Sequence, residues 1–241
     1  MKIRTTLLLL AIISFFGACK RTSTDTTQEE EKNALTTNEF QPNTGATKIA
    51  CIGNSITEGA GVENKDNDSY PAQLQQKLSA DYHVKNFGVG GRTLLRKGDF
   101  PYWNENAFQE AKDFQPDVVV ILLGTNDSKP QNWKYKDEFV KDYQVFIDEF
   151  QALDTKPKIF ICNPLPSFPH KGQINGEVIM KEVLPKIEAV AISKELEIID
   201  LYEPFIGKTK LLPDAVHPNE AGAAVIAEQV EKHILNWKES K

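Results

Sequence analysis

Apolar residues recur along this chain in two rhythms, and the alternation between them predicts the fold. Short runs dense in β-branched and aliphatic residues occur at 47–52, 83–87, 117–123, 158–162 and 197–200. The run at 117–123 shows no polar alternation, as expected of a central strand buried on both faces. Between these runs the spacing becomes helical. A helix is predicted over 71–80, with Pro71 in its first turn and Leu74 and Leu78 on one face, and another over 104–114. Phe139, Tyr143, Phe146, Ile147 and Phe150 mark a long amphipathic helix whose aromatic stripe belongs to the core. Further helices are predicted over 177–194, with a kink at Pro185, and over 220–237, capped by Asn219. Strand and helix alternate five times, which specifies parallel strands joined by right-handed crossovers. The expected architecture is α/β, a flavodoxin-like three-layer sandwich with a five-stranded parallel sheet in the order 2-1-3-4-5 and helices on both faces. In such a sheet the carboxyl ends of all strands form one rim, where ligands bind.

The first residues follow neither rhythm. Lys2 and Arg4 precede an apolar run over 7–16 that ends in Gly17-Ala18-Cys19. The run is short for a membrane span, and its basic start and small-residue end are those of an export signal. The placement of Cys19 resembles a bacterial lipoprotein signal, in which cleavage leaves that cysteine first and acylated. The next residues are rich in Thr, Asn, Glu and Gln without apolar period, which suits a disordered tether. The expected organisation is a signal peptide over 1–18, a polar tether over 19–46 and one folded domain over 47–241. The expected location is outside the cytoplasm, periplasmic or on the cell surface, anchored to a membrane through lipid on Cys19.

At 241 residues, 40% hydrophobic and 26% charged, the chain is ordinary for a single globular domain with a sizeable core. Its net charge of -6 argues against nucleic acid as a partner. Cys51 and Cys162 each end a strand-like run and read as buried free thiols. No CxxC, H-E-x-x-H or clustered His and Cys spacing occurs, so no metal and no cofactor are expected.

The rim gathers the candidate chemistry. Ser55 follows the first strand in Gly53-Asn54-Ser55-Ile56-Thr57-Glu58, where it reads either as a helix-capping residue, in an S-x-x-E capping box with Glu58, or as a nucleophile. A hydroxyl at a helix start also sits among unpaired NH groups. The second strand leads into Gly88-Val89-Gly90-Gly91, the third into Gly124-Thr125-Asn126-Asp127, and the fifth into a loop with Asp214 and His217. A serine hydroxyl needs a base, an imidazole suits that task near neutral pH, and a carboxylate three residues earlier can hold the ring in one tautomer. Acyl transfer also needs donors for an oxyanion, and the candidates are the NH groups of Ser55 and Gly91 and the side-chain amide of Asn126. Tyr102, Trp103, Trp133 and Tyr135 fall in rim loops. Trp133 is the candidate for stacking on a substrate, with packing as the alternative.

These four blocks, in this order and spacing, resemble the SGNH hydrolase family, also called GDSL esterases, over residues 47–241. The serine block is Gly53-Asn54-Ser55-Ile56-Thr57, with Asn54 where the family usually has aspartate. The glycine block runs from Asn86 to Gly91, the asparagine block is Gly124-Thr125-Asn126-Asp127, and the last runs from Asp214 to His217. The resemblance implies a serine esterase with Ser55, Asp214 and His217 as catalytic residues and Ser55, Gly91 and Asn126 as the oxyanion hole, Gly88 and Gly90 remaining alternatives. For an exported member it implies removal of O-acetyl groups from carbohydrates. The alternatives are a lipase, lysophospholipase or thioesterase acting on longer acyl chains, or a catalytically silent glycan-binding lipoprotein on the same scaffold.

Overall fold

Five parallel strands form the sheet of the computed structural model, which describes residues 40–170 and 172–240. They are β1 (Thr47–Gly53), β2 (Tyr82–Gly88), β3 (Val118–Leu122), β4 (Lys158–Cys162) and β5 (Glu197–Ile199). Their order is β2-β1-β3-β4-β5, as the alternation of elements predicts. Central β1 pairs on both sides, so that Ile52 faces Phe87 across one ladder and Ile121 across the other.

Side-chain alternation along the strands divides the core in two. Ala50, Ile52, Val119, Ile121, Ile159 and Ile161 point to one face, against the helices Asn106–Asp113, Phe139–Gln151 and Leu184–Lys194. Ile49, Cys51, Val118, Val120, Phe160 and Cys162 point to the other, against Tyr70–Lys77 and Glu220–Glu239. All of β3 is buried. With both faces covered, the central strands carry unbroken apolar runs rather than an alternation of apolar and polar residues. Cys51 and Cys162 are free and buried, and burial pushes the Cys51 thiol up to about 12. Such thiols behave as small hydrophobes.

Three details differ from expectation. The kink at Pro185 takes the form of a widened, π-type turn over Ile179–Val183, just before Leu184–Lys194 begins. Proline offers no NH to the ordinary helical ladder, and a π turn is a common way to absorb such a break. Residues 41–46, expected to belong to a tether, are fastened to the domain. The Asn43 main-chain NH donates to the Ala80 carbonyl at 2.8 Å, and its side-chain amide donates to Asp81 Oδ1 at 2.8 Å. These bonds fasten the chain beside the start of β2, so the polar composition of 41–46 belongs to an ordered approach. The expected signal peptide, Cys19 and the rest of the tether lie outside the described residues. Third, the helix after β1 is one turn, Ser55–Glu58, and its cap is Asn54 rather than Ser55.

Asn54 is wholly buried, and its Oδ1 accepts from the Ile56 NH at 3.1 Å. Loss of a capping acceptor typically costs about 1 kcal/mol. Burial raises the penalty for the orphaned NH toward the upper end of about 1–3 kcal/mol. Asn54→Ala is therefore expected to lower the free energy of unfolding by about 1–2 kcal/mol, read as a reduced urea midpoint at unchanged slope.

Candidate active site

Freed from capping by Asn54, the Ser55 side chain points out of the turn. Its Oγ lies 2.8 Å from Nε2 of His217, 162 residues away in sequence. The other ring nitrogen, Nδ1, lies 2.6 Å from Asp214 Oδ2. A carboxylate can only accept, so Nδ1 carries a hydrogen and donates it to Asp214. In the neutral ring, Nε2 is then the acceptor and Ser55 Oγ–H the donor.

Asp214 does two jobs with its two oxygens. Oδ1 accepts from the NH groups of Val216 at 3.0 Å and His217 at 2.7 Å, closing a tight Asx turn, while Oδ2 holds the imidazole. Partial burial on its own would raise the pKa of this carboxyl. The NH of His217, its imidazole and the NH of Val216 outweigh it, and the net position is below the usual carboxylate range. Inside the turn Ala215 adopts φ +73, a left-handed conformation uncommon for a side-chain-bearing residue. Its carbonyl accepts from the Phe168 NH at 3.0 Å, which ties the turn to the loop after β4.

The glycine block meets the serine turn at close range. A Cβ on Gly88 would stand 2.1 Å from the Glu58 main-chain nitrogen, so only glycine lets the end of β2 lie against this turn. The Gly88 NH is spent on Asn86 Oδ1 at 2.8 Å, which removes it as an oxyanion donor. Among the described residues, the NH groups of Ser55, Gly90 and Gly91 make no internal hydrogen bond. Ser55, Gly90, Gly91 and Asn126 all line one cleft of about 500 Å³, together with Asp214 and His217. Gly91 stands at φ +80, which bends the chain where this residue lines the cleft. Because Ser55–Glu58 is a single turn, the expected helix dipole adds little, and any charge stabilisation falls to individual NH groups.

Asn126 is buried, and its Nδ2 donates to the Arg92 carbonyl at 3.1 Å. An amide nitrogen carries two hydrogens, so this bond orients the group and leaves the second hydrogen for a ligand. The neighbouring Asp127 was not singled out from sequence. Its oxygens accept from the NH groups of Leu94 at 3.0 Å and Leu95 at 2.8 Å, pinning the irregular segment after the glycine block. Burial pushes its carboxyl up to about 6 against the pull of those donors. The signal for this role was the lack of apolar period in 92–103, since such a segment must find its hydrogen-bond partners outside itself.

The expected aromatic contact with substrate is corrected. Trp133 is only 6% exposed, its ring centroid lies 5.5 Å from that of Phe139, and its Nε1 donates to Glu182 Oε2 at 2.9 Å. It cannot present a face to a ligand. Tyr102 is wholly buried and donates to the Phe87 carbonyl. Trp103 donates to the Leu94 carbonyl at 2.7 Å, 5.0 Å from the Phe146 ring, and Tyr135 packs against the same core. These aromatics are packing residues, and the polar tips of Tyr102, Trp103 and Trp133 are each tied to a fixed partner. No cluster of metal-ligating side chains occurs among the described residues.

Residues 51–225, which include every block of this site, match the model of the GDSL-like lipase/acylhydrolase family. An acetylxylan esterase of Xylanibacter ruminicola is 45% identical over 211 residues, covering 80% of this chain and 44% of the relative. A multidomain esterase of Ruminococcus flavefaciens is 24% identical over 186 residues, covering 72% of this chain and 24% of the relative. The chain thus spans less than half the length of these curated relatives. Among solved structures, a carbohydrate acetylesterase family member from Sinorhizobium meliloti superposes with a TM-score of 0.60 at 21% identity, covering 78% of this chain and 97% of that one, which speaks to the fold. With a family match spanning most of the folded region and all four of its blocks brought to one cleft, this chain belongs to the GDSL-like lipase/acylhydrolase family.

Proposed function

We propose that this protein is a serine esterase that removes O-acetyl groups from carbohydrates through an acyl-enzyme. The observation that carries the reading is the continuous relay from Ser55 Oγ through the imidazole of His217 to Asp214. In the proposed reaction Ser55 Oγ attacks the ester carbonyl carbon as its proton passes to His217 Nε2. The oxyanion is received by the NH groups of Ser55 and Gly91 and by Asn126 Nδ2. Collapse breaks the bond to the sugar oxygen, which takes the proton from Nε2 and leaves as an alcohol. Water, deprotonated by the same nitrogen, then attacks the acyl carbon, and Ser55 is regenerated as acetate departs. Asp214 stays ionised throughout and stabilises the transient imidazolium.

The cleft supports a small acyl group and a polar alcohol. Glu58, Thr125, Lys129 and Gln173 line it with Ala60, Ile174 and Val216, so groups able to bond sugar hydroxyls stand beside an apolar surface that can take the acyl methyl. The 45% identical relative is an acetylxylan esterase, which points the same way. The family also contains lipases, and acyl-chain preference separates the two readings.

We also propose that the domain is exported and held at a membrane by acylated Cys19, a reading supported by the basic, apolar and small-residue order of the first residues.

Ser55→Ala is expected to abolish hydrolysis of an activated acetyl ester with an unchanged circular-dichroism spectrum, while the native protein prefers acetyl to octanoyl esters. Unchanged turnover in the variant contradicts the nucleophile assignment, and a preference for octanoyl contradicts deacetylation. Asn126→Ala should lower kcat by about 10²–10³ with little change in KM, since the amide is asked to act on the transition state. Cys19→Ala should move the protein from the membrane to the soluble fraction of its host, and continued sedimentation with membranes counts against the anchor.

A further inference from the structure

Beside the catalytic cleft lies a second concavity of about 590 Å³, and the two share His170, Gly172, Gln173 and Ile174 along their common border. Its remaining wall comes from the segment after β3, with Pro130 and Gln131, and from the loop after β4, with Ser167, Phe168, Asn175 and Glu177. Both volumes fall within the range of small-ligand sites.

The wall is braced. Gln131 Nε2 donates to Gln173 Oε1 at 2.8 Å and to Asp99 Oδ2 at 3.2 Å, linking three loops across the border. The Asn175 NH donates to Ser128 Oγ at 3.0 Å, and Asn175 Oδ1 accepts from the NH groups of Glu177 and Val178. Phe168 gives its NH to Ala215 inside the Asp214–His217 turn, so the residue that supports the imidazole also lines the second concavity. One polar atom is left over. Ser167 Oγ is buried without a hydrogen-bond partner, and a group in that state is costly unless a ligand or water satisfies it.

The lining interleaves apolar faces, from Phe168 and Pro130, with amide and carboxylate groups, from Gln131, Asn175 and Glu177. A pyranose ring has the complementary surface: C–H faces that pack on apolar side chains and a rim of hydroxyls that donate and accept. We infer that this concavity is a second saccharide subsite, which holds a neighbouring sugar unit of the chain whose acetyl ester lies at Ser55. The inference rests on the esterase reading and narrows its substrate from acetylated sugars in general to acetylated oligosaccharides and polysaccharides. Contacts with the second unit add binding energy remote from the reacting carbonyl, so the preference appears in kcat/KM.

The test compares kcat/KM for the native protein, Gln131→Ala and Glu177→Ala on three substrates: 4-nitrophenyl acetate, acetylated xylose and an acetylated xylo-oligosaccharide. The native protein should prefer the oligosaccharide to the monosaccharide by about tenfold or more, a factor of ten being about 1.4 kcal/mol. Each variant should lose most of that preference and remain within about twofold of native on the nitrophenyl ester. Phe168 is left intact because its NH holds the catalytic turn, whereas Gln131 and Glu177 line the second concavity alone. Equal native rates on monosaccharide and oligosaccharide overturn the subsite, as do variant losses of equal size on all three substrates. Failure of the native protein to cleave any of the three overturns the esterase reading itself, a result distinct from hydrolysis that ignores chain length.

Discussion

A hydrogen bond of 2.8 Å between Ser55 Oγ and His217 Nε2 is the contact on which the rest of the site depends. It joins the end of β1 to the loop after β5, and β3 and β4 lie between those strands. Three strand spacings of about 4.8 Å place the two strand ends roughly 14 Å apart. The chain after β5 must therefore cross back over the rim before the last helix starts. The irregular stretch between Ile199 and Glu220 performs this crossing and is supported on the way. Phe168 holds Ala215 from beneath, and Gly61 leaves room for His217, since a Cβ there would stand 3.0 Å from the His217 Cβ.

Carboxylates do most of the loop-building around this contact. Asp214 closes its own turn with one oxygen and fixes the imidazole with the other. Asp127 holds Leu94 and Leu95, and Asp142 accepts from the Arg96 NH at 2.9 Å. In each case an acceptor satisfies main-chain donors that the sheet cannot reach. The arrangement fixes Asn126 as well, because the segment that Asp127 pins supplies the Arg92 carbonyl to which Asn126 donates. Asn126 and Asp127, adjacent in sequence, thus both bond to the same irregular segment.

The strands were legible because burial on both faces imposes apolar runs that resemble nothing else, and their alternation with helices leaves few ways to connect them. Ser55, Gly91, Asn126, Asp214 and His217 were legible because each follows a strand, so topology alone brings them to one rim. Trp133 was misread because a tryptophan in a rim loop has the same local sequence whether it faces solvent or turns inward, and the deciding partners, Phe139 and Glu182, are set by tertiary packing. Asn54 as the cap was hidden by a neighbour of equal capping propensity. The role of Asp127 was not legible, since nothing near it in sequence reveals that its acceptors serve a loop more than thirty positions earlier. The glycine block was only partly readable: identity gave three candidates, and the bond from the Gly88 NH to Asn86 was needed to discard one.

Activation of Ser55 by His217 is the central claim, and a covalent probe of serine nucleophilicity addresses it directly. A fluorophosphonate incubated with the native protein at neutral pH, followed by peptide mass spectrometry, should leave one adduct on Ser55. The same reaction with His217→Ala, folded to the same degree, should be slower by several orders of magnitude. No adduct on Ser55 in the native protein, or labelling at an equal rate without the imidazole, contradicts the account.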